Sequence, residues 1–359
     1  MANQIDDYIL SNDGPSLAEA ISAIQSASVL ALDCEGKDLG VESGALSLIS
    51  LQALEPETSR TYLIDTINLT KDQLFPIFDI IQSSSVTKIV FDGRMDSSEL
   101  YHGWNVSMRG VLDLQLADVE SRRLRGEDED DQLSRLSPYL HRREIFGQPN
   151  SYLTVHKLCG LEQCIEEHKI ITDELKEKKP SEDIISVQQL CEGGHTLTFF
   201  PVVNHHDWLI RPLPEPYLRY SSRDVYMIGT LYAHFKEQGY IINDRLSAQS
   251  ARYLSISHNE RPRATDEFKR HPLLPLHILE YKDFALTRSC ISCDRSLPEA
   301  AFSKSGWRLA KKRQCWVCRA ISVRREMHTN WERDDDDHVW DGEDLEDDDW
   351  CREVYDSDY

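Results

Sequence analysis

The chain has 359 residues and a formal net charge of −22, from 62 acidic and 40 basic residues. This length accommodates one large domain and at least one smaller one. It contains no run of 18 or more apolar residues, and residues 1–7 lack the basic and then apolar pattern of a signal peptide. We therefore expect an intracellular protein, in the nucleus or the cytoplasm, that does not bind a membrane.

The negative charge is concentrated at the C-terminus. Residues 332–359 contain fifteen acidic residues and two arginines, which accounts for −13 of the net charge. The rest of the chain is only mildly acidic, so the net charge does not exclude a nucleic-acid partner. Because runs of like charge repel one another, residues 329–359 are predicted to form a disordered acidic tail, either a solubilising segment or a site for a protein partner.

Hydrophobic periodicity predicts an alternation of strands and helices. A helix-capping sequence at residues 13–16 indicates a helix within residues 1–27. Short apolar segments separated by turn residues then indicate strands, and a spacing of three to four residues indicates helices. The predicted strands are residues 28–33, 45–52, 61–65, 88–91 and 110–113, and the predicted helices are residues 73–82, 95–104, 152–164 and 217–235.

Two carboxylates stand on alternate residues where the first apolar strand ends. Asp33 and Glu35 lie in the sequence SVLALDCEG of residues 28–36. Residues i and i+2 of a strand project to the same face, so the two acids converge. Carboxylate oxygens are the ligands that Mg²⁺ prefers, and the ion keeps its remaining positions for water and phosphate. Taken by itself, such a pair is more often a helix cap or a solvated turn than a metal site.

Two further acids occur where such a site needs them. Asp96 opens a predicted helix directly after the strand of residues 88–91, and Asp224 follows Tyr220 by four residues, which places both on one helical face. Four carboxylates brought together repel one another unless cations lie between them. Two divalent ions about 3.5–4 Å apart can hold the attacking and leaving oxygens of a phosphodiester displacement.

This ordered set resembles the DEDDy group of 3'-5' exonucleases, which includes ribonuclease D and the Werner-type exonuclease. The resemblance covers residues 28–235 and is closest to fungal exonuclease-domain and Egalitarian-like proteins. It implies an α/β ribonuclease H-like fold with a mixed five-stranded sheet flanked by helices. It also implies that two Mg²⁺ or Mn²⁺ ions are held by four acids while a tyrosine positions the attacking water: Asp33, Glu35, Asp96 and Asp224, with Tyr220.

The sequence departs from that family at two places. Gly36 and Lys37 follow the first acid pair where active members commonly have a bulkier apolar residue. Phe91 and Asp92 stand where many active members have His-Asn. Two functions therefore remain open. One is metal-dependent 3'-5' hydrolysis of single-stranded RNA or DNA, with RNA favoured, and the other is an inactive RNA-binding or scaffold protein in small-RNA pathways.

A second motif consists of two Cys-x-x-Cys pairs. Cys290 and Cys293 are separated by 21 residues from Cys315 and Cys318, a spacing typical of one tetrahedral structural zinc ion. Between residues 304 and 325 lie eight basic residues and no acid. Such a face either binds nucleic acid or docks on a protein partner. The residues predicted to contact nucleic acid are Lys311, Lys312, Arg313 and Trp316.

These patterns together predict five segments. They are an N-terminal helix in residues 1–27, an exonuclease-like domain in residues 28–258, a linker in residues 259–285, a four-cysteine zinc module in residues 286–328, and the acidic tail in residues 329–359.

Overall fold

The structure is a computed structural model that describes residues 4–55, 57–137, 140, 142–147, 149–170, 172, 203–204, 206–274, 278–279 and 286–335. The chain divides into two compact units, and each unit combines separated stretches of sequence. The first unit comprises Met1–Arg125, Leu158–Asp266 and Ile278–Tyr281. The second comprises Gly126–Lys157, Glu267–His277 and Lys282–Tyr359.

The first unit is built on a mixed sheet of six strands in the order β1-β4-β3-β2-β5-β6. Strand β2 pairs antiparallel with β3 and parallel with β5, so it lies at the centre of the sheet. β4 pairs antiparallel with β3, and β6 pairs parallel with β5. The strands are β1 (Tyr8–Ser11), β2 (Val29–Lys37), β3 (Ala45–Glu55), β4 (Glu57–Asp65), β5 (Thr87–Val90) and β6 (Val111–Asp113).

The predicted mixed sheet flanked by helices is confirmed, but the predicted number of five strands is wrong. The sixth strand is β1, which pairs parallel with β4 from Tyr8 opposite Thr61 to Ser11 opposite Ile64. It lies in the segment predicted to contain only a helix. A four-residue edge strand carries too little alternation to be distinguished from an irregular segment, and here its partner stands about fifty residues away in sequence.

Helices accompany the sheet in the first unit and form most of the second. Those of the second unit are α5, α6, α7, α11 and α12. In chain order the helices are α1 (Gly14–Ile24), α2 (Lys71–Gln82), α3 (Arg94–Trp104), α4 (Leu114–Leu124), α5 (Glu129–Ser134), α6 (Arg142–Gly147), α7 (Pro149–Tyr152), α8 (Leu161–Glu167), α9 (Glu215–Glu237), α10 (Asn243–Leu254), α11 (Lys304–Arg308) and α12 (Trp316–Asp335).

The N-terminal helix begins as its capping sequence predicts. The Asp13 side chain accepts a hydrogen bond from the Ser16 backbone N–H at 2.9 Å, and the Ser16 hydroxyl oxygen accepts one from the Asp13 backbone N–H at 3.3 Å. This capping box satisfies backbone donors that the first turn leaves unpaired. Leu17, Ala20 and Ile24 form the buried side of the helix.

The predicted helix over residues 152–164 is wrong. Tyr152 ends α7, residues His156–Lys157 form strand β7, and α8 starts only at Leu161. β7 pairs antiparallel with β8 (Leu273–Leu274). The apolar residues of this stretch contribute to more than one packing surface, which produced a helix-like spacing without a helix.

The second unit is assembled around the cysteine-rich segment. Its core combines apolar side chains from residues 133–155 with the four cysteines and the residues around them. Tyr152 packs edge-on against Trp316, with ring centroids 5.7 Å apart. Two short strands, β9 (Arg288–Ser289) and β10 (Ser296–Leu297), form the hairpin that surrounds the first cysteine pair. The cysteine-rich segment therefore does not form a hydrophobic core by itself.

The two units differ from the predicted segments. Residues 126–157 lie within the predicted exonuclease-like domain but pack in the second unit. The predicted linker of residues 259–285 is partly structured, since the Glu42 backbone N–H donates to the Pro262 carbonyl at 3.0 Å. α12 continues to Asp335, past the predicted start of the tail, and residues 336–359 lie outside the described residues.

Within the described part of the chain, no helix is both long enough and apolar enough to cross a membrane.

Candidate active site and zinc site

The first acid pair lies where the central strand leaves the core. Residues 29–32 of β2 are buried, because β2 is a central strand of the sheet and helix α9 packs over it, and Asp33 and Glu35 follow on one face. Asp33 stands opposite Ser50 and Glu35 opposite Leu48 in the pairing with β3. Glu35 is 7% exposed, whereas Asp33 is partly exposed. The sequence motif thus presents two carboxylates at one end of the sheet.

Helix α9 brings the third carboxylate to this position. It packs over β2, β3 and β4. Its buried face includes Ser221, Ser222 and Val225, and the Ser222 hydroxyl donates to the Ile5 carbonyl at 2.7 Å. Asp224 lies beside this face and is partly exposed. Carboxylate oxygens of Asp33, Glu35 and Asp224 all lie within 4.8 Å of one another.

The electrostatics of this group favour a bound cation. Burial raises the pKa of Asp33 well above its usual range, and the neighbouring Asp224 carboxylate raises it further. Two carboxylates this close carry full negative charge together only when positive charge compensates them. A hard divalent cation supplies that charge and is coordinated by oxygen. The donor set of three clustered carboxylates therefore fits Mg²⁺ or Mn²⁺.

Asp96 approaches the group from the first turn of α3. It is 6% exposed, and its pKa is raised by burial first and then by the negative charge of Asp33. It does not belong to the three acids within 4.8 Å of one another, but its charge acts on Asp33. The structure thus places all four predicted acids in one region, with Asp96 more distant.

The start of α3 is held by a further buried acid. The Asp113 carboxylate accepts hydrogen bonds from the backbone N–H groups of Asp92 (3.1 Å) and Gly93 (3.0 Å). Burial raises the pKa of Asp113 to about 7, and the Asp92 charge contributes to the shift. Asp92 is in turn bound by Arg94 at 2.5 Å. These contacts fix the turn from which Asp96 projects, and no local pattern in the sequence distinguishes Asp113 as part of the site.

Tyr220 lies one helical turn before Asp224, as the spacing predicts. Its ring is partly buried and meets Trp208 edge-on at a centroid distance of 6.2 Å. Trp208 itself is fully buried in a cluster with Leu48 and Tyr217. The aromatic packing holds Tyr220 beside the strand that carries Leu48, the residue opposite Glu35.

Both departures from the family pattern have a structural counterpart. A Cβ atom at Gly36 would come within 2.2 Å of the Ala45 carbonyl oxygen, so the backbone leaves no room for a larger residue. Asp92 has φ of 53°, a left-handed conformation that Asp and Asn tolerate better than most residues. An Asp here adds a charge, which Arg94 compensates.

The four cysteines of the second motif converge. Their sulfur atoms lie within 4.8 Å of one another, and all four residues are buried. The Cys290 sulfur accepts a hydrogen bond from the Cys315 backbone N–H at 3.3 Å, and the other three thiols lower its pKa by donating to it. Four thiolates in this arrangement match the ligand set of a structural zinc site. The cluster is therefore compatible with one zinc ion at Cys290, Cys293, Cys315 and Cys318.

The predicted nucleic-acid contacts of this segment are only partly accessible. Lys311 and Lys312 are exposed, and Arg313 is partly exposed. Trp316 is 9% exposed and packs on Tyr152, so its ring faces are not available for stacking on bases. The nucleic-acid contact predicted for Trp316 therefore cannot be base stacking on its ring faces. The Trp316 ring instead forms part of the core of the second unit.

A buried ionic cluster in the first unit was not predicted. Asp118 is fully buried and accepts hydrogen bonds from Arg122 (2.8 Å), Arg125 (2.9 Å) and the His168 Nε2 atom (3.0 Å). Burial raises the pKa of Asp118, but the His168 hydrogen bond and the two arginines outweigh it and hold the pKa below its usual range. Cys164 lies within 4.8 Å of Asp118 and His168. Because the carboxylate already has these donors, the cluster joins α4 to α8 as a structural contact.

Comparisons with known proteins agree with this geometry. Residues 8–136 match the 3'-5' exonuclease family. The crystal structure of Trypanosoma brucei RNase D in complex with RNA U12 is similar at a TM-score of 0.51 and 18% identity, covering 77% of this chain and 79% of that chain. The complex of the same enzyme with GMP has a TM-score of 0.50 and 17% identity, with coverage of 83% and 85%. No curated protein matches the chain.

The resemblance to the 3'-5' exonucleases is thereby confirmed. The chain has an RNase D-like fold, and residues 8–136 match the family model of a 3'-5' exonuclease domain. This stretch contains Asp33, Glu35 and Asp96 but ends before Tyr220 and Asp224. The positions of the last two residues follow from the structure of α9 alone.

Proposed function

We propose that the protein is a metal-dependent 3'-5' exonuclease that hydrolyses phosphodiester bonds at the 3' end of single-stranded nucleic acid, with RNA favoured over DNA. The observation that carries this proposal is the convergence of Asp33, Glu35 and Asp224 within 4.8 Å at a position where the pKa of Asp33 is raised. The RNA bound to the similar RNase D structure supports a nucleic-acid substrate.

Each site residue has a role in this reaction. Asp33, Glu35, Asp96 and Asp224 would hold two Mg²⁺ or Mn²⁺ ions, which when bound would stabilise the negative charge that develops at the phosphate. Tyr220 orients the attacking water. Water adds to the terminal phosphorus, the bond to the 3' oxygen of the preceding nucleotide breaks, and that oxygen takes up a proton. The products are a nucleoside 5'-monophosphate and a strand shorter by one nucleotide.

The test uses single-stranded RNA and DNA of the same sequence with a 5' label. Purified protein is incubated with each in Mg²⁺, in Mn²⁺ and in EDTA. We expect a ladder that shortens one nucleotide at a time from the 3' end, is faster on RNA and is absent in EDTA. A 3'-phosphate-blocked strand separates removal of terminal nucleotides from internal cutting. An intact substrate in both metals would contradict the proposal.

Two observations favour a second candidate, an exonuclease-like RNA-binding or scaffold protein without activity. Gly36 leaves no side chain directly after Glu35, and Asp92 adds a charge near Asp96. Under this alternative the protein binds the labelled RNA but does not shorten it.

The remaining sequence predictions are part of the same proposal. The exposed Lys311 and Lys312, with Arg313, provide a nucleic-acid contact next to the zinc site. The zinc module or the acidic tail provides a site for a protein partner. We place the protein inside the cell, in the nucleus or the cytoplasm.

The acidic tail is expected to compete with nucleic acid for the basic face. Residues 336–359 contain twelve acidic residues and one arginine, and they follow a helix that begins beside the zinc ligands. Tethering gives the tail a high effective concentration near the basic residues. Removing residues 336–359 should tighten binding to single-stranded RNA severalfold at about 50 mM salt and much less at about 200 mM, measured by fluorescence anisotropy. Equal affinities at low salt would reject the competition.

A further inference from the structure

The loop before α9 is fixed rigidly to the sheet. Arg211 forms two contacts of 2.8 Å with the buried Asp65 carboxylate, through its Nε and one terminal nitrogen. The same guanidinium donates to the carbonyls of Trp208 and Ser47, at 2.9 and 3.1 Å. The Ser47 hydroxyl donates to the Trp208 carbonyl at 2.5 Å. An ion pair with this many hydrogen bonds in a buried setting holds its loop in one conformation.

The same carboxylate also orders the turn after β4. Asp65 accepts hydrogen bonds from the backbone N–H groups of Ile67 (3.0 Å) and Asn68 (3.2 Å) and from the Asn68 side-chain amide (2.8 Å). One buried acid therefore fixes two segments, the turn at Ile67 and the loop that contains Arg211.

These two segments present aliphatic side chains to solvent. Ile67 is 45% exposed, Leu209 is 37% exposed and Ile210 is 40% exposed. Single exposed apolar residues are ordinary in soluble proteins, whereas these three lie on two segments that the Arg211–Asp65 ion pair joins. We refer to Ile67, Leu209 and Ile210 as the aliphatic shelf.

The shelf lies at the end of the sheet that carries the acid cluster. Leu48 stands opposite Glu35 on β2 and opposite Asp65 on β4, so Asp65 is two strands away from Glu35. With neighbouring strands about 4.8 Å apart, this separation is about 10 Å. A nucleic-acid strand at about 3.4 Å per nucleotide covers this distance in about three nucleotides. The contact between Trp208 and Tyr220 also joins the loop that contains Leu209 and Ile210 to α9.

We propose that the aliphatic shelf contacts the nucleobases of the last three nucleotides of a single-stranded 3' end. This inference rests on the proposed function, since the acid cluster defines where the 3' end lies. Alkyl groups pack on the face of any base, so the contact is independent of sequence and requires bases that are not paired. It gives the site an apolar contact that the position after Glu35, a glycine without space for a side chain, does not supply.

The test measures the affinity that is lost when bases are removed from the strand and when shelf side chains are removed from the protein. The double variant Leu209→Ser/Ile210→Ser alters only exposed side chains, so the fold should be retained. Affinities are measured by fluorescence anisotropy in Ca²⁺ for a 12-nucleotide single strand and for the same strand with abasic residues at its last three positions. We expect wild-type protein to lose about tenfold in affinity for the abasic strand. The double variant should bind both strands equally, at the wild-type affinity for the abasic strand.

The matched control is Phe75→Ser, which removes an apolar side chain that is 66% exposed on α2. This variant should behave as wild type with both strands. Two results would contradict the proposed contact. One is equal affinity of wild-type protein for the two strands. The other is a double variant that loses as much affinity for the abasic strand as wild type does. Cleavage in Mg²⁺ is measured separately, so an inactive protein that still shows the expected binding pattern would reject the exonuclease proposal but not the shelf.

Discussion

Replacing Asp33 with asparagine is expected to abolish nucleotide release, with a loss in kcat on the order of 10³-fold or more. The side chain keeps its shape but loses the negative charge that, with Glu35 and Asp224, fits a divalent cation. The rate is measured on 5'-labelled RNA at saturating Mg²⁺. Asp38→Asn, five residues along the chain and outside the acid cluster, is the isosteric control and should retain wild-type activity.

In the presence of a metal chelator, Asp33→Asn should be more stable than wild type. Burial and the Asp224 charge raise the pKa of Asp33 in the folded protein, so its ionised form opposes folding. A group whose pKa is higher in the folded than in the unfolded state stabilises the fold at low pH. This stabilisation is lost as the pH rises through the pKa of the folded state. Asp33→Asn should therefore raise the Tm in EDTA at pH 7 to 8 and have little effect below about pH 4, the unfolded pKa of aspartate. A Tm below that of wild type in EDTA at pH 8 would show that Asp33 supports the fold instead.

Tyr220→Phe provides a contrast to this loss. The ring packing against Trp208 is retained and only the hydroxyl is removed. A group that orients water contributes about 10²-fold to a rate, so the variant should be slowed but remain measurable. Complete inactivity of Tyr220→Phe with normal folding would assign the hydroxyl a more direct part in the reaction.

Replacing Cys290 with serine is expected to remove one zinc ion and to unfold the second unit. Cys290 is buried in the same core as Leu136, Ile145 and Tyr152, so the loss should extend to residues 126–157 and is not restricted to the cysteine-rich segment. Metal binding of this kind contributes directly to folding free energy. Elemental analysis should give one zinc per wild-type chain and none in the variant.

Hydrogen exchange followed by peptide mass spectrometry locates the unfolding. Amides in residues 126–157 and 286–325 should lose protection together, while those of β2 and β3 keep it. Ile291→Ser is the matched control, since Ile291 lies between two of the cysteines but is 56% exposed. It should retain both zinc and protection. A metal-free wild-type protein with a protected second unit would contradict the zinc assignment.

The sequence was sufficient to predict most of the sheet and its acids because each depends on local pattern. The apolar run before Asp33 and the i, i+2 spacing of the two acids are visible without a structure. The relation of Tyr220 to Asp224 is fixed by one helical turn. Asp96 needed only the position of a helix start after a short strand.

What remained hidden depends on contacts between distant parts of the chain. Asp118 stands at the edge of a charge-rich stretch, and nothing local indicates that Arg122 and His168 bury it. Trp316 follows a zinc ligand among basic residues, a pattern that also fits a surface for bases, and only Tyr152 from another segment shows that it belongs to a core. The role of Asp65 at the shelf likewise depends on Arg211, 146 residues further along the chain.

The interleaved second unit has a consequence for biosynthesis. Residues 126–157 leave the ribosome more than 130 residues before Cys290, yet their packing partners are the cysteines and the residues around them. At about 5 to 20 residues per second, this separation corresponds to roughly 7 to 27 seconds of translation. Through that interval the growing chain carries Leu136, Ile145 and Tyr152 without the core that later covers them. Folding of the second unit is therefore complete only after the cysteine-rich segment has been translated.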